Sequence, residues 1–291
     1  MVYSTLTNGL ANNLFQIATG ATLARRNNTE YVACTIEETV PNGMTFSDFI
    51  NQYQGNTLRD VNFVEGIPED SIEYIQPGFN YSPIEYFDKI RLSGYFQSEK
   101  FFDKEYVREL FALDKERLSY IMGKYGHLLN QEIISIHVRR GDYVNRPLRQ
   151  PVCCMPYFRR AIDYFGKDKQ YFVFSDDVKW CKKRFIGSNF HFPDRESPVT
   201  DLYLQSLCTH NIISNSSYSW WGAWLNNNPD KVVLVPKTWF GIQMSDYDLS
   251  DLIPEEWIKI RNPKTISLTL KIALYWSVDI TKRVWWRLTH L

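Results

Sequence analysis

The chain has 291 residues, and its 33 basic and 33 acidic side chains give a formal net charge of zero at neutral pH. That balance argues against a protein whose main work is gripping nucleic acid along a basic face. Five cysteines (Cys34, Cys153, Cys154, Cys181 and Cys208) make an odd count with no C-x-x-C pair, which argues against a disulfide framework or a zinc site and points to a reducing compartment. The chain opens with an apolar strand at 2–6, a helix near 12–26 and a strand near 31–36, then a stretch rich in Pro, Gly and Asn. A strand at Ile90–Tyr95 leads into Gln97-Ser98-Glu99 and two helical patterns, 99–112 and 114–124. From residue 131 the rhythm is regular. Short apolar strands at 133–139, 171–175, 189–192, 211–214 and 231–235 alternate with helical segments near 155–166, 178–186, 199–209 and 218–227. That alternation is the signature of a parallel sheet covered by helices.

The change of rhythm near 126–131 marks the expected boundary between a less regular first lobe, 1–128, and a Rossmann-like second lobe, 129–262. The expected class is α/β, with two lobes and a cleft between them. The first residues show neither a basic n-region nor a long apolar run, so the expected compartment is the cytosol. The last segment, 263–291, sets Lys264, Lys271, Lys282, Arg283 and Arg287 against the single acid Asp279, among many Leu, Ile, Tyr and Trp. Lys271 and Asp279 break the apolar run, so a span is not expected. The expectation is a basic aromatic helix, packed back on the first lobe or touching an anionic inner membrane through 264–291.

Four segments carry chemistry. Ile133 to Val138 reads as a buried strand, and period-two geometry puts His137 and Arg139 on one face, just before a Gly141-Asp142 turn. A charge at the carboxyl end of a central strand calls for a ligand or a carboxylate. An anion site is one reading; an Arg139–Asp142 or Arg140–Asp142 pair that closes the turn is the other. In Asn211 to Trp224 an apolar strand runs into a hydroxyl-rich turn and a helix with three tryptophans. Ser217 or Ser219 is a candidate cap there, and the helix end suits phosphate. Asn215, Ser216 and Ser217 exceed what one cap needs, so they join the site; Trp221 and Trp224 read as core. Phe174-Ser175-Asp176-Asp177 ends another strand, with Ser175 a donor-side candidate, Asp176 a candidate base and Asp177 a helix cap. Asn8 to Gln16 follows the first strand, with small residues that permit close approach and Asn12 at the helix start. Asp246-Tyr247-Asp248, the one D-x-D, reads as solvated surface.

Taken in order, Gly9-Leu10-x-Asn12, Gly94-Tyr95-Phe96-Gln97-Ser98-Glu99-Lys100, His137-x-Arg139-Arg140-Gly141-Asp142-Tyr143 and Asn215 to Trp224 resemble the bacterial α-1,2-fucosyltransferases, glycosyltransferase family eleven. The resemblance implies a GT-B-like fold and transfer of L-fucose from GDP-fucose to the 2-hydroxyl of a galactoside acceptor. It implies inversion, no metal and no further cofactor, in the making of a capsule or lipopolysaccharide glycan. It assigns the β-phosphate to Arg139, the guanosine end to His137, the diphosphate to the Ser216–Ser217 turn, the guanine to Asp201 and the fucose–phosphate junction to Asn12. Ala11 and Asn13 depart from the Gly and Gln usual in the family. Asp142, Glu99 and Asp176 stay open as the group that takes the acceptor proton, as does the departing phosphate oxygen. Other nucleotide sugars or linkages, and a nucleotide- or glycan-binding module without catalysis, are the alternatives.

Overall fold

The computed structural model describes residues 1–36, 58–194, 196–263, 268–270 and 273–274. Two parallel sheets carry the fold. The first, in the order β3-β2-β1-β5-β4, joins β1 (Val2–Leu6), β2 (Tyr31–Thr35), β3 (Asn62–Glu65), β4 (Ile72–Ile75) and β5 (Ile90–Ser93). The second, in the order β11-β10-β9-β6-β7-β8, joins β6 (Ile133–Val138), β7 (Gln170–Ser175), β8 (Phe190–His191), β9 (His210–Ile212), β10 (Val233–Pro236) and β11 (Ile258–Ile260). Counted from its own first strand, the second sheet runs 6-5-4-1-2-3, the doubly wound order of dinucleotide-binding folds. Its strand order reverses between β6 and β9; that of the first sheet reverses between β1 and β5.

The helices are α1 (Leu10–Arg26), α2 (Lys104–Leu110), α3 (Lys115–Leu129), α4 (Met155–Phe165), α5 (Val178–Lys182), α6 (Pro198–Ser206) and α7 (Ser217–Trp224). Strand β6 is buried along its whole length, as a central strand covered on both faces must be. Ile134, Ile136 and Val138 pack with Tyr157, Phe158 and Ala161 of α4. Ser135 and His137 turn the other way, where Ser135 Oγ accepts from Asn211 Nδ2.

The two lobes share one apolar cluster, and α7 is its joint. Phe15 of α1 lies 4.6 Å from Trp220 and 4.8 Å from Trp221, while Phe102 stacks on Trp221 at 5.6 Å. Each indole N–H finds an oxygen: Trp220 on Leu252 O, Trp221 on Ala11 O and Trp224 on Glu99 Oε2. Three large rings are thereby buried with no orphaned donor, which fixes α7 against α1.

The strands expected from the pattern form, with bounds that shift at some ends: β1 keeps 2–6, β6 stops at Val138, β7 begins at Gln170 and β9 spans His210–Ile212. β3, β4 and β11 were not expected. The helical pattern at 99–112 splits into a 3₁₀ turn, Glu99–Phe101, and α2, because Asp103 caps a new helix by accepting from Tyr106 N. The expected C-terminal helix at 263–291 lies almost wholly outside the described residues. No helix of the described residues is long and apolar enough to cross a membrane.

Candidate active site

The carboxyl edges of the two sheets face each other across a cleft of about 1230 Å³. The loops after β1, β5, β6 and β9, the four strands at the two reversals, all open into it. Asn12, His137, Arg139, Asp142, Ser175, Asp176, Asp201, Asn215, Ser216 and Ser217 line the cleft.

Arg139 stands just past β6. Its Nη2 lies 2.6 Å from Asp142 Oδ1 and its Nη1 2.9 Å from Asp176 Oδ2, over the ring of Tyr143. Gly141 makes this packing possible, since a Cβ there would sit 2.6 Å from Asp176 Oδ2. The expected Arg140–Asp142 pair does not form. Arg140 instead meets Asp177 at 3.0 Å and lies over Trp180, and Asp177 also caps α5. The Arg140 contact holds the Asp177 carboxyl below its usual range. Arg139 is therefore ion-paired and also faces the cleft. With its side chain 35% exposed, it sits where an entering phosphate can exchange for a carboxylate on its planar fork.

The turn into α7 corrects one expectation. Neither Ser217 nor Ser219 caps the helix through its side chain: Ser216 is the N-cap residue and makes no cap bond. Ser219 Oγ donates to Ser214 O and Ser216 O, and Ser217 Oγ donates across the cleft to Asn12 Oδ1 at 3.1 Å. Among the described residues no acceptor meets the N–H groups of Ser217, Tyr218 and Ser219. These donors stand at the positive end of α7.

Asn12 Oδ1 also accepts from Gln97 Nε2 at 2.8 Å, so the amide is oriented from both lobes. The loops that hold it are strained: Asn8 has φ 66° and Phe96, a bulky residue, φ 51°. Asn13 is buried with both amide atoms lacking a partner.

Three site candidates change role. Glu99 is not in the cleft wall; its carboxylate accepts from the Trp224 indole at 3.0 Å and from Lys104 at 2.6 Å, so both of its oxygens are engaged in the fold. The Asn215 side chain lies against the cleft but is engaged elsewhere, donating to Pro151 O and Trp239 O and accepting from Cys153. The Ser175 hydroxyl donates to Val138 O and accepts from Asp177 N. Both hold loops in place and offer the cleft no free polar atom on these side chains.

His137 is buried, with Nδ1 2.8 Å from Ser214 Oγ. Burial, reinforced by the Arg139 charge, pushes its pKa down to about 3, so the imidazole stays neutral at physiological pH. Asp201 is the opposite case. Burial, reinforced by Glu196, pushes its carboxyl up to about 7, and its Oδ1 has no hydrogen-bond partner.

Sequence reasoning missed Arg117, Arg146, Arg149 and Gln150, and the aromatic side chains Phe79, Phe240 and Tyr247, all on the cleft wall. Tyr95 stood inside a recognised motif without being singled out. Tyr247, within the D-x-D read as solvated surface, also faces the cleft.

Two parallel-sheet lobes whose carboxyl edges face each other across a cleft define a GT-B-like fold. The crystal structure of the NodZ alpha-1,6-fucosyltransferase from Bradyrhizobium, soaked with GDP-fucose, superposes with a TM-score of 0.52 at 15% identity, over 77% of this chain and 91% of that one. A family 9 glycosyl transferase from Veillonella parvula superposes with a TM-score of 0.51 at 9% identity, over 94% and 90%. This chain belongs to glycosyltransferase family 11, whose model matches residues 79–261. It is 34% identical over 185 residues to the O-antigen biosynthesis glycosyltransferase WbnK of Escherichia coli, covering 58% of this chain and 60% of WbnK. It is 33% identical over 189 residues to an alpha-1,2-colitosyltransferase of the same species, covering 59% and 62%. The matches thus span less than two thirds of either relative.

Proposed function

We propose that this chain transfers L-fucose from GDP-fucose to the 2-hydroxyl of a galactoside during synthesis of a cell-surface glycan. One observation carries the reading: Asn12, Arg139 and the Ser216–Ser217 turn, far apart in sequence, line a single cleft with an open helix end in it. Family membership and the relative named for O-antigen biosynthesis support it. Asp201 Oδ1, buried without a partner, suits the N1–H and N2–H donors of guanine. The diphosphate then lies between Arg139 and the first N–H groups of α7.

Breaking the fucosyl–phosphate bond builds negative charge on GDP and positive charge on the sugar ring. A fixed guanidinium and open amide donors meet that charge best in the transition state, which lowers the barrier without calling on a metal. Asp176 has one oxygen on Arg140 N and the other on Arg139. Asp142 shares one oxygen with Arg139, and its other meets Arg146 only at 3.8 Å. Phosphate binding at Arg139 frees Asp142, which accepts the proton of the acceptor hydroxyl while that oxygen attacks the anomeric carbon from the face opposite GDP.

The likeness to a colitosyltransferase favours one second reading, GDP-colitose as donor. The test is turnover of GDP-fucose, GDP-colitose, GDP-mannose and UDP-galactose in parallel, with lactose as acceptor and with or without EDTA. Preference for GDP-fucose, undiminished by EDTA, is the expected result. Preference for a UDP sugar overturns the guanine assignment, preference for GDP-colitose replaces fucose, and loss of turnover in EDTA overturns the metal-free step.

A further inference from the structure

The cleft has two flanks that the donor chemistry does not use equally. Sheet order puts the loop after β10 on one side of the central β6–β9 pair, and the segment after β8, which carries Asp201, on the other. The donor occupies the centre and the β8 side. On the β10 side four aromatic rings meet. Phe79 stacks on Tyr247 at 5.3 Å and 18°, lies edge-on to Phe240 at 5.5 Å, and lies 6.3 Å from Tyr95. Phe79 and Tyr95 follow strands of the first lobe; Phe240 and Tyr247 follow β10 of the second.

Two of these rings stay open to solvent, Tyr95 at 38% and Tyr247 at 43%, although partly buried rings lie beside them. The β10 loop is pinned. Gly241 N donates to Arg149 O and Gln243 N to Leu148 O, and a Cβ at Gly241 would run into the Leu148 carbonyl. This ties the aromatic loop to the segment bearing Arg146 and Gln150, which supply hydrogen-bond donors at the rim. Rigid ring faces edged by a few polar groups are what a saccharide needs.

We propose that Tyr247 and Tyr95 form the platform that receives the galactose ring of the acceptor, an inference that rests on the galactoside transfer proposed above. The axial 4-hydroxyl of galactose leaves the C3, C4 and C5 hydrogens on one face, a continuous apolar patch. Glucose, with that hydroxyl equatorial, has no such one-sided patch. Burying this patch on a tyrosine face takes apolar surface from water and orients the ring, with the 2-hydroxyl turned toward Asp142 and the donor.

The experiment is steady-state transfer from GDP-fucose to lactose and to cellobiose, which differ at one stereocentre. Tyr247→Ala is expected to raise the KM for lactose about tenfold, with kcat and the KM for GDP-fucose within roughly threefold of wild type. Tyr95→Ala moves the same constant in the same direction, and Tyr247→Phe, which keeps the ring, restores it. The preference for lactose over cellobiose collapses in both alanine variants. Lactose turnover with an unchanged KM and unchanged preference in both variants overturns the platform while leaving the transferase reading intact. So does a wild-type enzyme that does not distinguish the two sugars. Absence of GDP-fucose turnover in the wild type overturns the transferase reading and the platform with it, independently of the variants.

Discussion

The two sheet edges that face each other across the cleft contribute different chemistry. On the second lobe's edge lie Arg139, Asp142, Asp176 and Asp201. The loops after β1, β4 and β5 on the first lobe add Asn12, Gln97, Phe79 and Tyr95 to the wall, and no charged side chain. A leaving diphosphate needs charge, so it is served from one side. A neutral sugar needs oriented amides and ring faces; the first lobe supplies the amides and two of the rings, and the loop after β10 of the second lobe adds Phe240 and Tyr247. Changes to the charged groups should therefore strike turnover and donor binding, while changes to the aromatic rings should strike acceptor affinity.

The largest expected effect tests the charged edge. Arg139→Ala removes the cation proposed to meet the leaving group, and kcat should fall by roughly a hundred- to a thousandfold, as when one preorganised donor is lost from an anion site. The pairs Arg139 makes with Asp142 and Asp176 are partly exposed, so the melting temperature should barely move. Arg139→Lys, keeping the charge without the planar fork, should fall between the two. A kcat within a few-fold of wild type for the alanine variant would break the division of labour between the edges.

A middling effect is expected at Asp201. Its carboxyl has a pKa of about 7, and guanine donors favour the ionised form. The sign follows: below pH 7 the group must lose a proton to bind, so GDP binding releases a proton and tightens as pH rises. With that pKa, the dissociation constant should improve about tenfold from pH 6 to pH 8, and stay nearly flat in Asp201→Asn. Calorimetry in two buffers of different ionisation enthalpy reads both the affinity and the proton. A wild-type affinity independent of pH would remove Asp201 from the nucleotide.

Both edges were legible in the sequence to the extent that the chain marks them locally. The four motifs are the loops after β1, β5, β6 and β9, where a strand ends in glycine, amide, hydroxyl or charge, and those strands flank the two reversals. What depends on register was not legible. Strand alternation puts Arg139 and Arg140 on opposite faces, but which acids they meet is set by β6 pairing with β7, Val138 opposite Ser175. Continuing that register brings Asp176 and Asp177 alongside the two arginines, and no pattern within 133–142 reveals it. β3 and β4 escaped because they are short and largely exposed, so they lack an apolar period. The aromatic flank escaped because its rings come from three separate loops and meet only in the folded chain.

The smallest expected effect on catalysis concerns Glu99, an acid beside the neutral edge. Its carboxylate accepts from the Trp224 indole inside the joint between the lobes and from Lys104 at its margin, with the side chain 13% exposed. Glu99→Ala leaves the indole N–H without a partner in a buried setting, which costs about 1–3 kcal/mol. A denaturant midpoint that shifts down with an unchanged slope measures that loss. Turnover should stay within roughly twofold, because the joint holds the cleft through the rings of Trp220, Trp221, Phe15 and Phe102, whose apolar contacts survive the substitution. Glu99→Gln retains an oxygen for the indole and should recover most of the stability. If instead turnover falls by orders of magnitude in both variants while stability holds, a charged group on the first lobe's side takes part in the chemistry, and the contrast between the two edges fails.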